Sequence, residues 1–170
     1  MDQPAASFPV TPAAASPEVR PAGSPSPPPV ADQAPERATP FAIIGGDAAI
    51  GGIVDRFYDL MERDPAYAAL RAMHQPELAP MRRSLKGFLA AWTGGPRDWF
   101  ADARPGGSCL FSLHAAMAID AAVAAQWAEA MTRAIDGQAG IDARIDAGIA
   151  ALMKARLVAM TGAMVNRGLG

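Results

Sequence analysis

The prolines divide this sequence near Pro40. Of its 16 prolines, 11 lie within residues 1–40, where they form runs such as Ser24-Pro-Ser-Pro-Pro-Pro-Val30. Proline lacks a backbone N–H and fixes φ, so a segment this rich in proline sustains neither a helix nor a central strand. Few large apolar side chains accompany the prolines, and little burial is available to offset the entropy of ordering. Residues 1–40 are therefore predicted to be a disordered, polyproline-like tail, and 41–170 to form a single domain.

In the first half of this domain, apolar side chains recur at three- and four-residue spacings, which is typical of amphipathic helices. The spacing predicts a helix over 47–63 with Asp47 as its N-cap. It also predicts a short helical stretch over 66–73 and a further helix over 78–92.

The second half continues the helical pattern. A short segment around 110–116 is followed by a helix that Asp120 is expected to cap and that is expected to break at 137–140. The side chains expected on the buried face of the last helix are Ile145, Ile149, Leu152, Met153, Leu157, Met160 and Met164. Because no segment alternates apolar and polar residues as a half-buried strand does, the predicted fold class is all-α, with five or six helices.

Charge and cysteine content limit the partners and the compartment. A net charge of -2 offers no basic surface for nucleic acid or for an anionic membrane. No run approaches the roughly 18 apolar residues of a transmembrane helix, and the N-terminus does not have the pattern of a secretory signal. The single cysteine, Cys109, excludes an internal disulfide and is expected to be a buried, inert thiol. These features predict a cytoplasmic protein.

Three side chains with polar tips lie in otherwise apolar helical stretches: Tyr58, His114 and Trp127. A neutral imidazole in an apolar setting suits haem iron, and a phenol O–H and an indole N–H could stabilise a diatomic ligand beside it. On the residues alone, a hydrogen-bonded core histidine and ordinary aromatic packing are the more common explanations of such a pattern.

Several blocks of sequence occur in a characteristic order. They are Gly45-Gly46 before the segment 53–61, Arg71-Ala-Met-His74, Leu85 to Pro96 with a second glycine pair, and His114 to Ile119 with Gln126-Trp127 placed 12 and 13 residues after the histidine. In combination these blocks resemble the group II truncated haemoglobins of bacteria.

The resemblance implies a truncated globin fold, a two-over-two helical sandwich around haem b. His114 would be the proximal iron ligand, with Tyr58 and Trp127 on the distal side and His74 at the corner that packs on the haem face. The remaining cofactor-contacting residues it implies are Phe57, Met81, Leu85, Phe88 and Phe111. For His74 two interpretations stay open, a partly buried histidine at a helix–proline corner or a third distal hydrogen-bond donor. A state with both histidines on the iron is a further alternative.

The segment before His114 departs from the family pattern. Members usually carry Gly-His-Pro-x-Leu-Arg-x-Arg there, and the arginines reach the haem propionates. Here Phe111 and Leu113 occupy the two matching places, so we expect Arg104 or Lys86 to substitute.

The predicted function is reversible binding of oxygen and other diatomic gases, as in an oxygen-transport or oxygen-binding protein. Nitric oxide or peroxide chemistry would require an unidentified reductase, so whether the protein is an enzyme stays open. One alternative is a haem-based sensor or interaction module that uses the Pro-rich tail, and another is a haem-poor structural protein with a globin fold. Neither nucleic acid nor membrane is expected as a partner, and both a monomer and a homodimer are compatible with the sequence.

Overall fold

The computed structural model describes residues 38–101, 109–140, 142 and 145–166. The predicted tail lies outside these residues except at its last three positions, and Arg104 lies outside them as well. The described residues all belong to one compact unit. That residues 1–40 form a separate tail stays a prediction.

The described residues form helices and no strand, and the predicted all-α class is confirmed. In chain order the elements are α1 (Pro40–Ile43), α2 (Gly46–Arg63), a 3-10 turn (Pro65–Tyr67), α3 (Ala68–Ala72), α4 (Ala79–Trp92), α5 (Asp98–Ala101), α6 (Leu110–His114), α7 (Ala121–Ala139) and α8 (Ala147–Gly162). The described part therefore holds more helices than the five or six expected. Several of them are only four or five residues long, and so short an element carries no readable periodicity.

Helix α2 lies at the centre of the domain. It packs against both α4 and α7, and α8 packs against α7. The side chains that α2 buries are Ala49, Ile50, Ile53, Val54, Phe57, Tyr58 and Met61. These side chains recur at the three- and four-residue spacings that predict the helix, and they form a wide apolar face because α2 is covered on two sides.

The start of α2 differs from the prediction. Gly45, not Asp47, is the N-cap, and it has a φ of 104°, in the left-handed region that favours glycine. Asp47 lies in the first turn of the helix, where a carboxylate is favourable near the positive end of the helix dipole. By contrast, the predicted N-cap of α7 is confirmed, since Asp120 accepts a hydrogen bond from the Val123 N–H at 2.8 Å.

Two further expectations are wrong, and a third holds only in part. Helix α7 does end within the break expected at 137–140, but only at Ala139; it continues through Gly137, which lies against the Arg56 side chain. Leu152, expected on the buried face of α8, is 51% exposed. Apolar residues lie on most sides of α8, so its sequence pattern does not distinguish the buried face. Cys109, expected to be buried, is exposed and immediately precedes α6. Hydrogen bonds from the Ser112 backbone and side chain lower the pKa of its thiol.

Candidate functional site

A cavity of about 560 Å³ lies among the ends of α3 and α6 and the faces of α4, α7 and α8. Its lining is mostly apolar and includes Leu70, Met73, His74, Gln75, Met81, Ser84, Leu85, Phe88, Trp99, Leu110, Leu113, His114, Met117, Ile119, Val123, Trp127, Leu157, Met160 and Met164, together with Tyr58. The volume falls in the range of roughly 300–1,000 Å³ that is typical of ligand and cofactor pockets.

The imidazole of His114 is held in one orientation. Its Nδ1 lies 2.8 Å from the carbonyl oxygen of Leu110, one helical turn earlier. A carbonyl oxygen only accepts, so Nδ1 carries a proton and donates, which leaves Nε2 as the ring nitrogen that can offer a lone pair. Nε2 has no hydrogen-bond partner among the described residues. A carbonyl bond of this kind is what fixes the tautomer of a histidine that binds a metal.

The turn after His114 is held by hydrogen bonds to Asn166, a residue shortly after the end of α8. The Asn166 side chain accepts from the Ile119 N–H at 2.9 Å and donates to the Met117 carbonyl at 2.7 Å. The Met117 N–H in turn donates to the His114 carbonyl. Asn166 lies 52 residues after the histidine in sequence, and no local pattern in the chain points to this contact.

Two hydrogen-bond donors face the same cavity. Tyr58 is only 4% exposed, and burial raises the pKa of its hydroxyl to about 12, although the Arg82 cation opposes this rise. The phenol is therefore protonated at neutral pH. Neither the Tyr58 hydroxyl nor the Trp127 indole N–H has a protein hydrogen-bond partner in the part of the chain that the structure describes. Both are free to donate to a molecule in the cavity.

Phe57 and Phe111 occupy different places from the other predicted site residues. Phe57 is fully buried outside the cavity lining, with its ring 5.0 Å from that of Tyr58 and 5.3 Å from that of Trp127. Phe57 therefore packs against the rings of the two donors from outside the cavity. Phe111 is 49% exposed and does not line the cavity, because the adjacent positions Leu110 and Leu113 of α6 face inward.

We expect Phe57→Ala to destabilise the fold by about 3–5 kcal/mol, because it removes a fully buried ring and leaves a cavity. The midpoint of urea unfolding measures the change. Phe111→Ala is the matched control and should leave the midpoint nearly unchanged, since the Phe111 ring is half exposed. Equal losses in the two variants would contradict this placement of Phe57.

His74 is oriented in the same manner as His114. Its Nδ1 lies 2.9 Å from the Leu70 carbonyl oxygen, and its ring lies edge-on to Tyr58 at a centroid distance of 6.0 Å. Burial lowers the pKa of His74, and the positive charge of Arg71 lowers it further. The neutral ring therefore donates from Nδ1 to Leu70 and presents Nε2 as an acceptor. The Leu70 N–H is itself bonded to the Gln126 side chain of α7 at 2.9 Å.

The lowered pKa of His74 predicts a pH dependence of stability. Below the ordinary value of 6.5, the unfolded chain takes up a proton that the folded ring resists, so stability falls as pH drops from 6.5 toward the folded pKa. We expect His74→Gln to lose less stability than the wild type between about pH 7.5 and about pH 5.5, as measured by urea unfolding. Equal losses would contradict the buried neutral imidazole.

Lys86 does not take the place of the missing propionate-binding arginines. Its ammonium pairs with Asp47 of α2 at 2.7 Å, and it does not line the cavity. No lysine or arginine lines the cavity among the described residues, and Arg104 lies outside them. Polar groups on the lining include the Ser84 hydroxyl, which accepts from the Trp99 indole N–H at 3.1 Å. Within the described ranges, no group of three or more His, Cys, Asp or Glu side chains is arranged to hold a metal ion.

A family model for bacterial-like globins matches residues 39–161, nearly the whole described domain. The chain is a bacterial-like globin. Among curated proteins, no match reaches significance.

Solved structures similar to this globin include truncated haemoglobins. The cold-adapted truncated haemoglobin of the Antarctic bacterium Pseudoalteromonas haloplanktis TAC125 is 29% identical, with a TM-score of 0.68, over 76% of this chain and 99% of that one. The group II 2-on-2 haemoglobin of Agrobacterium tumefaciens is 27% identical, with a TM-score of 0.68, over 77% and 96%. The group II truncated haemoglobin of Bacillus anthracis is 27% identical, with a TM-score of 0.66, over 77% and 93%.

These matches confirm the resemblance to group II truncated haemoglobins and the truncated globin fold. Family membership supports a haem-binding role for this globin. No helix in the described part is both long and apolar enough to cross a membrane.

Proposed function

We propose that this globin holds haem b in the cavity through His114 and binds oxygen and other diatomic gases there reversibly. The observation that carries the proposal is the His114 ring, which is tied at Nδ1 to Leu110 and lines the apolar cavity with Nε2 unpartnered among the described residues. Haem, when bound, would supply an iron centre that binds diatomic gases, and the His114 imidazole would hold that iron through Nε2.

The walls of the cavity fit a flat, largely apolar group. Met81, Leu85 and Phe88 lie at helical spacing on α4 and present one apolar wall, while Val123 and Trp127 of α7 contribute another. Such walls exclude water, and exclusion of water strengthens hydrogen bonds made inside the cavity. Ser84 and Gln75 are polar positions on the lining and would pair with the propionates in place of the missing arginines.

Tyr58 and Trp127 would bind and orient the gas ligand. Each offers an N–H or O–H that belongs to a mostly apolar cavity lining and is bonded to no described residue. A hydrogen bond from such a donor is worth on the order of 1–3 kcal/mol. His74 enters the proposal in its neutral form, in which Nε2 accepts hydrogen bonds and does not donate.

Haem titration tests the proposal. We expect haem added to the haem-free protein to give a Soret band that saturates at one haem per chain, and the reduced form to bind carbon monoxide with a further spectral shift. The lack of any lysine or arginine on the described lining favours a haem-poor globin as the second candidate. A titration without a saturable Soret band would support that candidate and contradict haem binding.

The pocket would also support an accessory activity, either nitric oxide dioxygenation or peroxide reduction. We propose that this activity takes place in the cytoplasm and requires an external reductase. Turnover of nitric oxide by the oxygenated protein, measured with a chemical reductant, tests this part separately.

A further inference from the structure

Arg82 of α4 makes an unusually dense set of contacts with α2. Its Nη1 donates to the Asp55 carbonyl at 3.0 Å and to the Asp55 carboxylate at 3.2 Å. Its Nη2 donates to the carboxylates of Asp59 at 2.8 Å and Glu62 at 3.1 Å. The three acidic residues lie at four- and three-residue steps on one face of α2, so a single guanidinium spans two helical turns.

The same guanidinium lies over the ring of Tyr58. Its central carbon is 5.3 Å from the ring centroid, within the distance of a cation–π contact. Tyr58 also lines the cavity, while its ring packs on Phe57. Arg82 does not line the cavity, so any effect it has on a cavity ligand must pass through another group.

This placement has an electrostatic consequence for the Tyr58 hydroxyl. The three carboxylates lie on the same helix as Tyr58, and negative charges by themselves would make the phenol a weaker hydrogen-bond donor. The Arg82 cation acts in the opposite direction and lowers the pKa of the phenol. The four hydrogen bonds also keep the guanidinium in place, with only 23% of its side chain exposed. The guanidinium therefore stays over the Tyr58 ring, and the Tyr58 hydroxyl has a constant positive charge near it.

We propose that Arg82 is a positioning residue that sets how strongly Tyr58 donates a hydrogen bond to a ligand in the cavity. The inference rests on the proposed function, because it requires Tyr58 to donate to that ligand. It goes further in assigning control of ligand release to a residue outside the cavity.

A double-mutant cycle on the full-length, haem-loaded protein tests the inference. We expect Arg82→Met to raise the oxygen dissociation rate about 3- to 10-fold, the range of a partly buried cation–π contact. The C–O stretching frequency of the carbon monoxide complex should rise with it, since that frequency reports hydrogen bonding to the ligand. In a Tyr58→Phe background, Arg82→Met should change neither quantity. Arg82→Lys, which keeps the charge, should lie between Arg82→Met and the wild type.

Lys86→Met is the matched control. Lys86 is another cation of α4 that forms an ion pair with α2, in its case with Asp47. Like Arg82, it does not line the cavity. Lys86→Met should leave both readouts unchanged. If Arg82→Met does not fold, the C–O frequency of Arg82→Lys in the two backgrounds decides, with a smaller shift expected that vanishes without the Tyr58 hydroxyl.

An equal effect of the Arg82 substitution in both backgrounds would overturn the inference, as would unchanged readouts in the wild-type background. If Tyr58→Phe alone changes neither readout, the failure lies in the proposed role of Tyr58 as donor. The two failures are therefore distinguishable.

Discussion

His114→Ala is expected to abolish stable haem binding. The variant removes one of only two histidines in the chain, the one whose Nε2 we assign to the iron. Loss of second-shell partners of a ligating imidazole typically costs about 10- to 100-fold in affinity, so loss of the ligand itself should exceed about 100-fold. Haem titration followed at the Soret band measures the change.

The controls for this variant separate ligation from folding. His74→Ala should still bind haem, because the proposal places only His114 on the iron. Far-ultraviolet circular dichroism should show the same helix content in both variants, since the substitution in α6 lies at the last residue of a five-residue helix. A His114→Ala protein that kept a native five-coordinate ferrous spectrum would refute the assignment.

Tyr58→Phe is expected to speed oxygen release by about 5- to 150-fold, the equivalent of about 1–3 kcal/mol. The substitution removes only the hydroxyl and keeps the ring that packs between Phe57 and Arg82. Trp127→Phe should act in the same direction because it removes the second donor. Stopped-flow dissociation of oxygen, with carbon monoxide as the displacing ligand, gives the rates.

Tyr67→Phe is the matched control for this experiment. Tyr67 is the only other tyrosine in the chain, and its hydroxyl is occupied by Arg133 at 2.8 Å and Glu129 at 3.3 Å, outside the cavity lining. Its oxygen dissociation rate should match that of the wild type. A Tyr58→Phe rate no faster than this control would exclude the Tyr58 hydroxyl as a ligand donor.

Much of the fold could be predicted from the sequence because burial of a helix face imposes its own periodicity. Helix α2 is the clearest case, since all seven of its buried residues share one wide face. Gly137 and Leu152 show the limits of this reasoning. Glycine costs only about 1 kcal/mol relative to alanine inside a helix, so α7 continues through Gly137 to Ala139 once its other residues are packed. Helix α8 has no strongly polar face from which its orientation could be predicted.

Within the candidate site, side chains with polar tips could be found in the sequence, but the groups that hold them could not. His114, Tyr58 and Trp127 stood out because each interrupts an apolar pattern, and the structure brings them to one cavity. Their supports depend on tertiary contacts instead. Asn166 reaches back 47 residues to Ile119, and Arg82 looks like an ordinary surface charge until α4 packs against α2.

The most direct test of His114 as the iron ligand is the resonance Raman spectrum of the reduced, ligand-free protein. Protein made with ¹⁵N-histidine should show an iron–nitrogen stretching band at lower frequency than unlabelled protein. We predict this isotope-sensitive band in the wild type and in His74→Ala, and its loss in His114→Gly. A labelled wild-type protein with no shifted band, or a shift that persists in His114→Gly, would contradict it.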